Sequence, residues 1–396
     1  MQAVLLSGCR TPIGTFLGNL SSLSATQLGA VVVRETVRRS GLSSHQIDEV
    51  IMGNVLSAGL GQAPARQAAL LGGLPATVAA LTINKMCGSS LKAVMLAAQA
   101  VQLGDSQAVL AGGMESMSRA PHLLSGGRTG WKFGDQKMVD SMLHDGLTCA
   151  FDHCHMGSQA DTIARVKQIT RQEQDHFANE SQHRAVVASQ SGWFEDEMVA
   201  VDIPTRDGTQ RISEDQGPRP NTNLEKLAHL KPTFDPAGTV TAGNASQLSD
   251  GAAAVLVSSE EFADEHGCKP LARIVGYATA GVEPQEVFIA PVAAIHAVLK
   301  KTGLNLEDID LFEINEAFAA QTLACAGPFN IPSEKLNVHG GAIALGHPLG
   351  ASGARVLVTL LYAMQRLNRK RGLATLCLGG GNAVAMVLER ICPDQG

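Results

Sequence analysis

The chain has 396 residues, of which 45% are hydrophobic and 17% charged, and its formal net charge at pH 7 is −6. This length and apolar content exclude a disordered protein and indicate a globular one with two or three domains. The negative charge and the lack of any Lys/Arg run argue against nucleic acid or an anionic membrane as the main partner.

The two ends of the chain carry the signals that bear on location. The N-terminal stretch "MQAVLLSGCR" is typical of a strand and too short for a signal peptide. The most apolar stretch, residues 374–388, contains three glycines and is too short to span a bilayer. We therefore expect a cytoplasmic protein, with a mitochondrial protein whose presequence has been removed as the alternative.

Strand-like runs alternate with amphipathic helical patterns, which indicates an α/β fold. Residues 40–55 resemble residues 302–317, and each copy follows an amphipathic helix. A second match pairs "AVLAGGMES" with "TLCLGGGNA" and aligns Gly112 with Gly379. The order of these matches predicts an internal duplication; chance similarity of two βα units is the alternative.

Three regions follow from this pattern. The predicted N-terminal half comprises residues 1–117 and 249–270, and the predicted C-terminal half comprises residues 271–396. Between them, residues 118–248 are rich in polar residues, Gly and Pro, and predict a domain of long loops around a few helices. Loops of this length in a compact protein are usually functional.

Cys87 follows the apolar run "AALTIN" and precedes a predicted helix that begins with Ser89. A cysteine at a helix N-terminus lies at the positive end of the helix dipole, which favours the nucleophilic thiolate. The sequence therefore offers Cys87 as a nucleophile. The alternative is a small core residue at a tight strand–helix junction.

Downstream, "HCH" at residues 153–155 brings two histidines close to a cysteine. A protein metal site needs further ligands at suitable spacing, and none appears nearby. We therefore expect no metal.

After the predicted strand "IDLF" come Asn315, Glu316 and Gln321. The Asn315 amide is a fixed dipole that can hold a water molecule or an oxyanion. The alternative role is a helix cap, for which asparagine is also favoured.

His347 lies in a glycine-rich stretch, residues 339–353, and is followed by Pro348 before a helical pattern begins. This is a rigid way to present an imidazole as a base that removes a thiol proton. A capping or loop histidine is the alternative, and His339 is a less constrained candidate.

Cys377 ends an apolar run and is followed by Gly379 and Gly380. Glycines there allow backbone N–H groups to approach a developing oxyanion. A phosphate-binding glycine loop is the competing interpretation, but the chain contains neither GxGxxG in a βαβ context nor GxxxxGK[ST]. The eight cysteines form no CxxC pair, so we expect reduced thiols, most of them inert.

Taken together, these segments resemble the thiolase family along essentially the whole chain. The resemblance is carried, in order, by "RTPIG", "GQAPARQAA", "NKMCGSS", "GGMESMSRAPH", "HMG", "GTVTAGNASQLSDGAAA", "NEAFA", "GGAIALGHPLGASGAR" and "CLGGG". It implies two duplicated βαβαβαββ halves in a five-layered αβαβα arrangement with an inserted loop domain. It also implies a homotetramer built as a dimer of dimers.

The resemblance assigns a role to each catalytic candidate. Cys87 is implied as the acylated nucleophile, His347 as its base and Cys377 as the acid/base at the α-carbon of the second substrate. Asn315 is implied to hold a water that, with His347, stabilises one thioester oxygen, and the N–H groups of Cys87 and Gly379 to stabilise the other. The implied reaction is the reversible condensation of two acetyl-CoA to acetoacetyl-CoA and CoA, a step of lipid metabolism.

The resemblance also implies where the substrates bind. Arg219 matches a position near the adenine nucleotide of CoA, Ser246 one near the pantetheine, and His155 and Met156 the pocket wall. A solvated loop arginine is the alternative for Arg219. Coenzyme A and acyl-CoA enter as substrates, and no cofactor is implied.

The "HMG" at 155–157 resembles the biosynthetic, acetoacetyl-CoA-specific branch. Three departures from the family pattern bear on substrate range: Val287–Phe288 where Met-Gly is common, Ser90 where Gly is usual, and Asn382–Ala383 after the triple glycine. Phe288 is expected to narrow or reshape the acyl pocket.

Two alternatives to the biosynthetic reading stay open. One is a degradative 3-ketoacyl-CoA thiolase of broader or branched acyl range. The other is a non-catalytic thiolase-like subunit that binds acyl-CoA. Decarboxylating condensing enzymes are disfavoured, because they usually carry a second histidine where Asn315 stands.

Overall fold

A computed structural model describes residues 1–206 and 208–391 of the chain. Cys392 and the last residues of the predicted C-terminal half lie outside the described residues. The strands are β1 (Ala3–Arg10), β2 (Gly14–Thr15), β3 (Glu49–Gly53), β4 (Ala79–Ile83), β5 (Ala108–Ser116), β6 (His122–Leu124), β7 (Met138–Asp140), β8 (Val201–Thr205), β9 (Gly208–Ile212), β10 (Ser249–Ser259), β11 (Ala272–Gly281), β12 (Leu311–Ile314), β13 (Arg371–Leu378) and β14 (Asn382–Arg390). The helices are α1 (Ala25–Ser40), α2 (Pro64–Leu71), α3 (Ser89–Leu103), α4 (Met156–Val166), α5 (Arg171–Gln190), α6 (Leu224–Ala228), α7 (Glu260–Glu265), α8 (Ala290–Thr302), α9 (Ala319–Ala326), α10 (Ala342–Leu345) and α11 (Ser352–Arg366).

The sheet repeats one strand order twice. The first half is ordered β4-β3-β5-β10-β1, and the second continues as β11-β14-β13-β12. A parallel bridge from Phe312 to Leu336 occupies, beside β12, the place that β4 holds beside β3. The two halves meet at a short antiparallel pairing of β1 with β11. This order confirms the predicted α/β fold with two similar halves.

The first sequence repeat is also a structural repeat. Gly41 and Gly303 both end a helix in the left-handed conformation, with φ of 81° and 69°. Ile47 and Ile309 both follow a short 3₁₀ turn that opens with a capping box.

The second sequence match is out of register. With Glu49 equivalent to Leu311, the pairings of β3 with β5 and of β12 with β13 make Gly112 equivalent to Thr375, not to Gly379. Gly112 lies inside a strand, whereas Gly379 lies in a turn. The sequence match therefore aligns two glycine runs that have different structural roles.

The helices form three layers around the sheets. α1 and α2 pack on each other and on the strands of the first half, and α8 packs on β11, β14 and β13. Between the halves, α3 and α11 pack on each other, and α11 contacts β10 and β5 on one side and β13 and β12 on the other. The five-layered arrangement follows from this buried helix pair.

The region between the halves is built as expected from loops and a few helices. It contains α4, α5 and α6 and the two small hairpins β6–β7 and β8–β9. β10, which follows this region, pairs with β1 and β5. The exact domain boundaries given above remain predictions.

Two sequence expectations concern the chain as a whole. The seven cysteines among the described residues are all free. Within the same residues, no helix is long and apolar enough to cross a membrane.

The first turns of α3 and α11 touch each other directly. The backbone N–H of Ala354 in α11 donates to Ser90 Oγ in α3 at 2.8 Å. Gly353 faces Leu91, and a Cβ at Gly353 would lie 2.5 Å from the Leu91 nitrogen. A glycine is therefore required where the two helix ends meet.

We expect Gly353→Ala to lower the free energy of unfolding by about 1–3 kcal/mol, because the added methyl group has no room at this contact. Urea unfolding measures the loss. Gly327→Ala is the matched control, since nothing lies within 4 Å of a Cβ placed there. Equal unfolding midpoints for the two variants would contradict the close approach of the helices.

Candidate active site

A single cavity of about 630 Å³ collects the residues that the sequence had singled out from distant segments. Asn315 is the one predicted site residue that does not line it. The predicted site residues that line the cavity are Cys87, His155, Met156, Arg219, Ser246, Phe288, His347, Cys377 and Gly379.

Cys87 is presented by a tight turn between β4 and α3. Ser89 Oγ accepts from the Lys85 N–H at 2.8 Å and donates to the Met86 carbonyl at 2.6 Å. Met86 has φ of 48°, a left-handed conformation that is unusual for a residue other than glycine. Such strain persists only where neighbouring contacts hold it, and it is often found at functional sites.

The Cys87 thiol is protonated in the free protein. Burial raises the pKa of Cys87 to about 11, against the lowering effect of the N–H groups of Gly379 and of Cys87 itself. Desolvation therefore favours the neutral thiol in the resting state. Gly88, not Cys87, is the N-cap of α3.

His347 is a buried, neutral imidazole with a defined tautomer. Ser352 Oγ donates to the Pro348 carbonyl at 2.9 Å, so at 2.6 Å it accepts the proton of His347 Nδ1. Nε2 is therefore left with its lone pair. Burial, together with the charge of Arg355, lowers the pKa of His347 to about 3. The defined tautomer and the lowered pKa make His347 a base that is unprotonated at neutral pH.

Asn315 stands behind His347 at the end of β12. Its Nδ2 lies 3.5 Å from His347 Nε2, and its Oδ1 lies 3.5 Å from a guanidinium nitrogen of the buried Arg355. Neither Asn315 nor His347 caps a helix, because the N-caps of α9 and α11 are Phe318 and Ala351. The capping alternatives are therefore excluded.

Cys377 is the second thiol of the cavity and is itself buried, near the end of β13. Burial, with smaller contributions from Cys87 and Cys325, raises the pKa of Cys377 well above its ordinary value. A thiol of this kind holds its proton at neutral pH, and its thiolate is a strong base.

Three glycines, residues 379–381, form the hairpin turn that joins β13 to β14. This turn explains the glycine run that follows Cys377 in the sequence. Gly380 and Gly381 have φ of 86° and 82°, and a Cβ at Gly381 would lie 2.5 Å from the Val282 carbonyl oxygen. The turn thereby places Gly379 in the cavity lining beside the side chain of Met86, the residue before Cys87. The cavity side of Gly379 is open enough for a ligand atom.

Aromatic rings line one wall of the cavity. His155 stacks on Phe234 at 4.7 Å between ring centroids, Phe234 meets Phe318 edge-on at 6.3 Å, and Phe318 meets Phe288 at 5.4 Å. The His155 ring is oriented by the Gly157 N–H, which donates to Nδ1 at 2.9 Å. Phe288 is almost fully buried and lines the cavity.

Arg219 and Ser246 are polar residues in a cavity lining that is otherwise largely apolar. Ser246 is held by its N–H, which donates to the Ala317 carbonyl at 3.0 Å. Arg219 is exposed and also lines a neighbouring cavity of about 250 Å³ that contains Lys226. A positive charge at the outer end suits an anionic ligand that extends out of the cavity.

The described residues contain no group of three or more His, Cys, Asp or Glu side chains placed to hold a metal ion. The "HCH" segment is divided in the structure: His153 and Cys154 are exposed, whereas His155 faces the cavity.

Several residues that shape the site were missed from the sequence. Ser352 follows His347 by five positions, and a helix-entry serine is a signal that was available. Phe234 and Arg355 carry no local signal, because only the folded chain brings them to the site.

Comparison with known proteins agrees with this geometry. The family described as "Thiolase, N-terminal domain" matches residues 3–261, and "Thiolase, C-terminal domain" matches residues 268–390. The chain belongs to the thiolase family.

Named relatives of this thiolase extend over almost its full length. It is 53% identical to an acetyl-CoA acetyltransferase of Escherichia coli K12, over 98% of this chain and 99% of the relative. It is 51% identical to a probable acetyl-CoA acyltransferase of Staphylococcus aureus N315, with the same coverage. The crystal structure of the Bacillus anthracis acetyl-CoA acetyltransferase matches it with a TM-score of 0.97 and 42% identity, over 98% of this chain and 99% of that one.

A titration tests the protonation state of Cys87. We expect the rate of Cys87 alkylation by iodoacetamide to rise about tenfold per pH unit between pH 7 and 9, because only the thiolate reacts and its fraction grows with pH below a pKa of about 11. Peptide mass spectrometry measures the rate, with the exposed Cys154 as an internal comparison. A rate that is already level at pH 7 would contradict the neutral thiol.

Proposed function

We propose that this thiolase catalyses the reversible condensation of two acetyl-CoA to acetoacetyl-CoA and CoA through an acetyl-Cys87 intermediate. The observation that carries the proposal is the convergence of Cys87, His347, Cys377 and Gly379 on one cavity. The names of its full-length relatives support the acetyl-CoA assignment.

Acylation follows from the resting protonation states. The Cys87 sulfur attacks the thioester carbonyl while its proton passes to His347 Nε2. The N–H groups of Cys87 and Gly379, two residues that line the same cavity, bind the oxyanion of the tetrahedral intermediate. When the intermediate collapses, the C–S bond to CoA breaks and the CoA sulfur takes the proton of Cys377. The Cys377 thiolate and the His347 imidazolium remain.

Condensation then restores the resting state. The Cys377 thiolate removes a proton from the α-carbon of the second acetyl-CoA, for which its raised pKa is suited. His347 and a water held by Asn315 stabilise the enolate oxygen. The enolate carbon attacks the acetyl-enzyme, a carbon–carbon bond forms, and the Cys87 sulfur leaves and takes back the proton from His347. Both directions pass through the same groups.

The remaining elements of the proposal concern binding and assembly. Arg219 and Ser246 bind the nucleotide and pantetheine portions of CoA, and His155, Met156 and Phe288 enclose the acyl end. Their position along one cavity supports this order. The reaction needs no resident cofactor or metal. We further propose a cytoplasmic homotetramer, a dimer of dimers, that acts in lipid metabolism.

Loss of the nucleophile is the direct test. We expect Cys87→Ser to lower the rate of CoA-dependent acetoacetyl-CoA cleavage by about 10³-fold or more, because the covalent intermediate cannot form efficiently. The decay of acetoacetyl-CoA absorbance measures it, and Cys268→Ser, which changes a half-buried thiol outside the cavity, is the control. Near-wild-type cleavage by Cys87→Ser would refute the mechanism. A wild-type protein that binds acetoacetyl-CoA without cleaving it would indicate a binding subunit.

A substrate series tests the acyl range. We expect acetoacetyl-CoA to have a higher kcat/KM than 3-ketohexanoyl-CoA or 2-methylacetoacetyl-CoA, because the rings of Phe288 and Phe318 close the wall of the acyl pocket. Phe288→Ala should raise the relative kcat/KM for 3-ketohexanoyl-CoA about tenfold, since one methylene in an apolar pocket changes discrimination by about 10-fold or more. Comparable cleavage of the longer or branched substrate by the wild type would favour a degradative thiolase.

A further inference from the structure

Two of the three departures from the family pattern, at Ser90 and Asn382, lie in the segments that carry Cys87 and Gly379. Ser90, on the α3 side, receives the Ala354 N–H, as described above. Asn382 lies at the other side, where its Oδ1 accepts from Lys85 Nζ at 3.1 Å. Both contacts join the N-terminal half of the chain to the C-terminal half.

The Lys85–Asn382 contact joins the turn that carries Cys87 to the hairpin that carries Gly379. Lys85 precedes Cys87 by two residues, and the backbones of these two residues form a bridge across the turn at Met86. Asn382 pairs with Leu378 at the base of the hairpin that carries Gly379. One hydrogen bond therefore connects the turn that holds one N–H donor with the hairpin that holds the other.

Lys85 does not face the ligand. It is absent from the residues that line the cavity, and it is half-buried between the nucleophile turn and the hairpin. Among the described residues, Asn382 Oδ1 is the acceptor that its ammonium group reaches.

We propose that Lys85 and Asn382 are positioning residues that fix the spacing between the Cys87 and Gly379 N–H groups. This inference rests on the proposed acyl transfer at Cys87. Oxyanion donors act only when held at hydrogen-bond distance from the oxygen as its charge develops, and a misplacement of about 1 Å can cost about 100-fold in rate. The contact also accounts for Asn382, since a methionine or a glycine there would leave the Lys85 ammonium without this acceptor.

A double-mutant cycle tests the proposal by measuring the burst of acetyl-Cys87 formed from acetyl-CoA. We expect Lys85→Met and Asn382→Ala each to slow acylation about tenfold with an unchanged KM for acetyl-CoA, because a hydrogen bond to a charged group is lost. The double variant should be no slower than either single variant, since both changes remove the same contact. Asn382→Asp, which keeps an acceptor for Lys85, should acylate at close to the wild-type rate.

Lys300→Met is the control, because Lys300 is exposed in the last turn of α8 and lies outside the cavity. We expect it to leave the burst rate unchanged. The positioning role would be overturned if the single variants acylated at the wild-type rate, or if the two losses in acylation rate multiplied in the double variant. A rise in KM large enough to explain the slower acylation would also overturn it. Urea unfolding of Asn382→Asp and Asn382→Ala separates a folding defect from a slowed reaction. Failure of the proposed function itself is distinguishable, because the wild-type protein would then show no burst.

Discussion

The site depends on the contact between the first turns of α3 and α11. Each half of the chain contributes one of these helices, and each helix is preceded by a loop that carries one reacting side chain, Cys87 or His347. Gly353 lets the two backbones approach, and the hydrogen bond from Ala354 to Ser90 closes the contact. Duplication of one α/β unit thus creates the site, because two equivalent loops meet at the centre of the five layers and have diverged into nucleophile and base.

Burial sets the chemistry of this centre. Desolvation raises the pKa values of both thiols and lowers the pKa of His347, so the resting site is formally neutral despite its three titratable groups. A neutral site avoids the large penalty of isolated charge in a dry interior. In the proposed reaction, charge develops only as bonds form and break, and the N–H groups of Cys87 and Gly379 are the proposed donors that stabilise it.

The outer parts of the cavity have a different physical character. The rings from His155 to Phe288 form one wall of the cavity, whereas the exposed Arg219 lies at its margin. The wall is assembled from the loop region and the C-terminal half, so the residues proposed to enclose the acyl group are separate from those proposed to react. Under the proposed mechanism, the acyl range can therefore change while Cys87, His347 and Cys377 stay in place.

The sequence by itself determined the fold class and the duplication, and it singled out the candidate reacting groups that the fold brings to one cavity. It could do so because strand and helix periodicity is local, and because Cys87, His347 and Cys377 each lie beside glycines that mark a constrained backbone. Tertiary structure decided what depends on desolvation and on contacts between distant segments. It raised the pKa of the Cys87 thiol through burial, corrected the register of the second repeat, and revealed the Ser352 and Arg355 contacts that orient His347 and Asn315. Burial and long-range approach are properties of the packed chain, and no short stretch of residues encodes them.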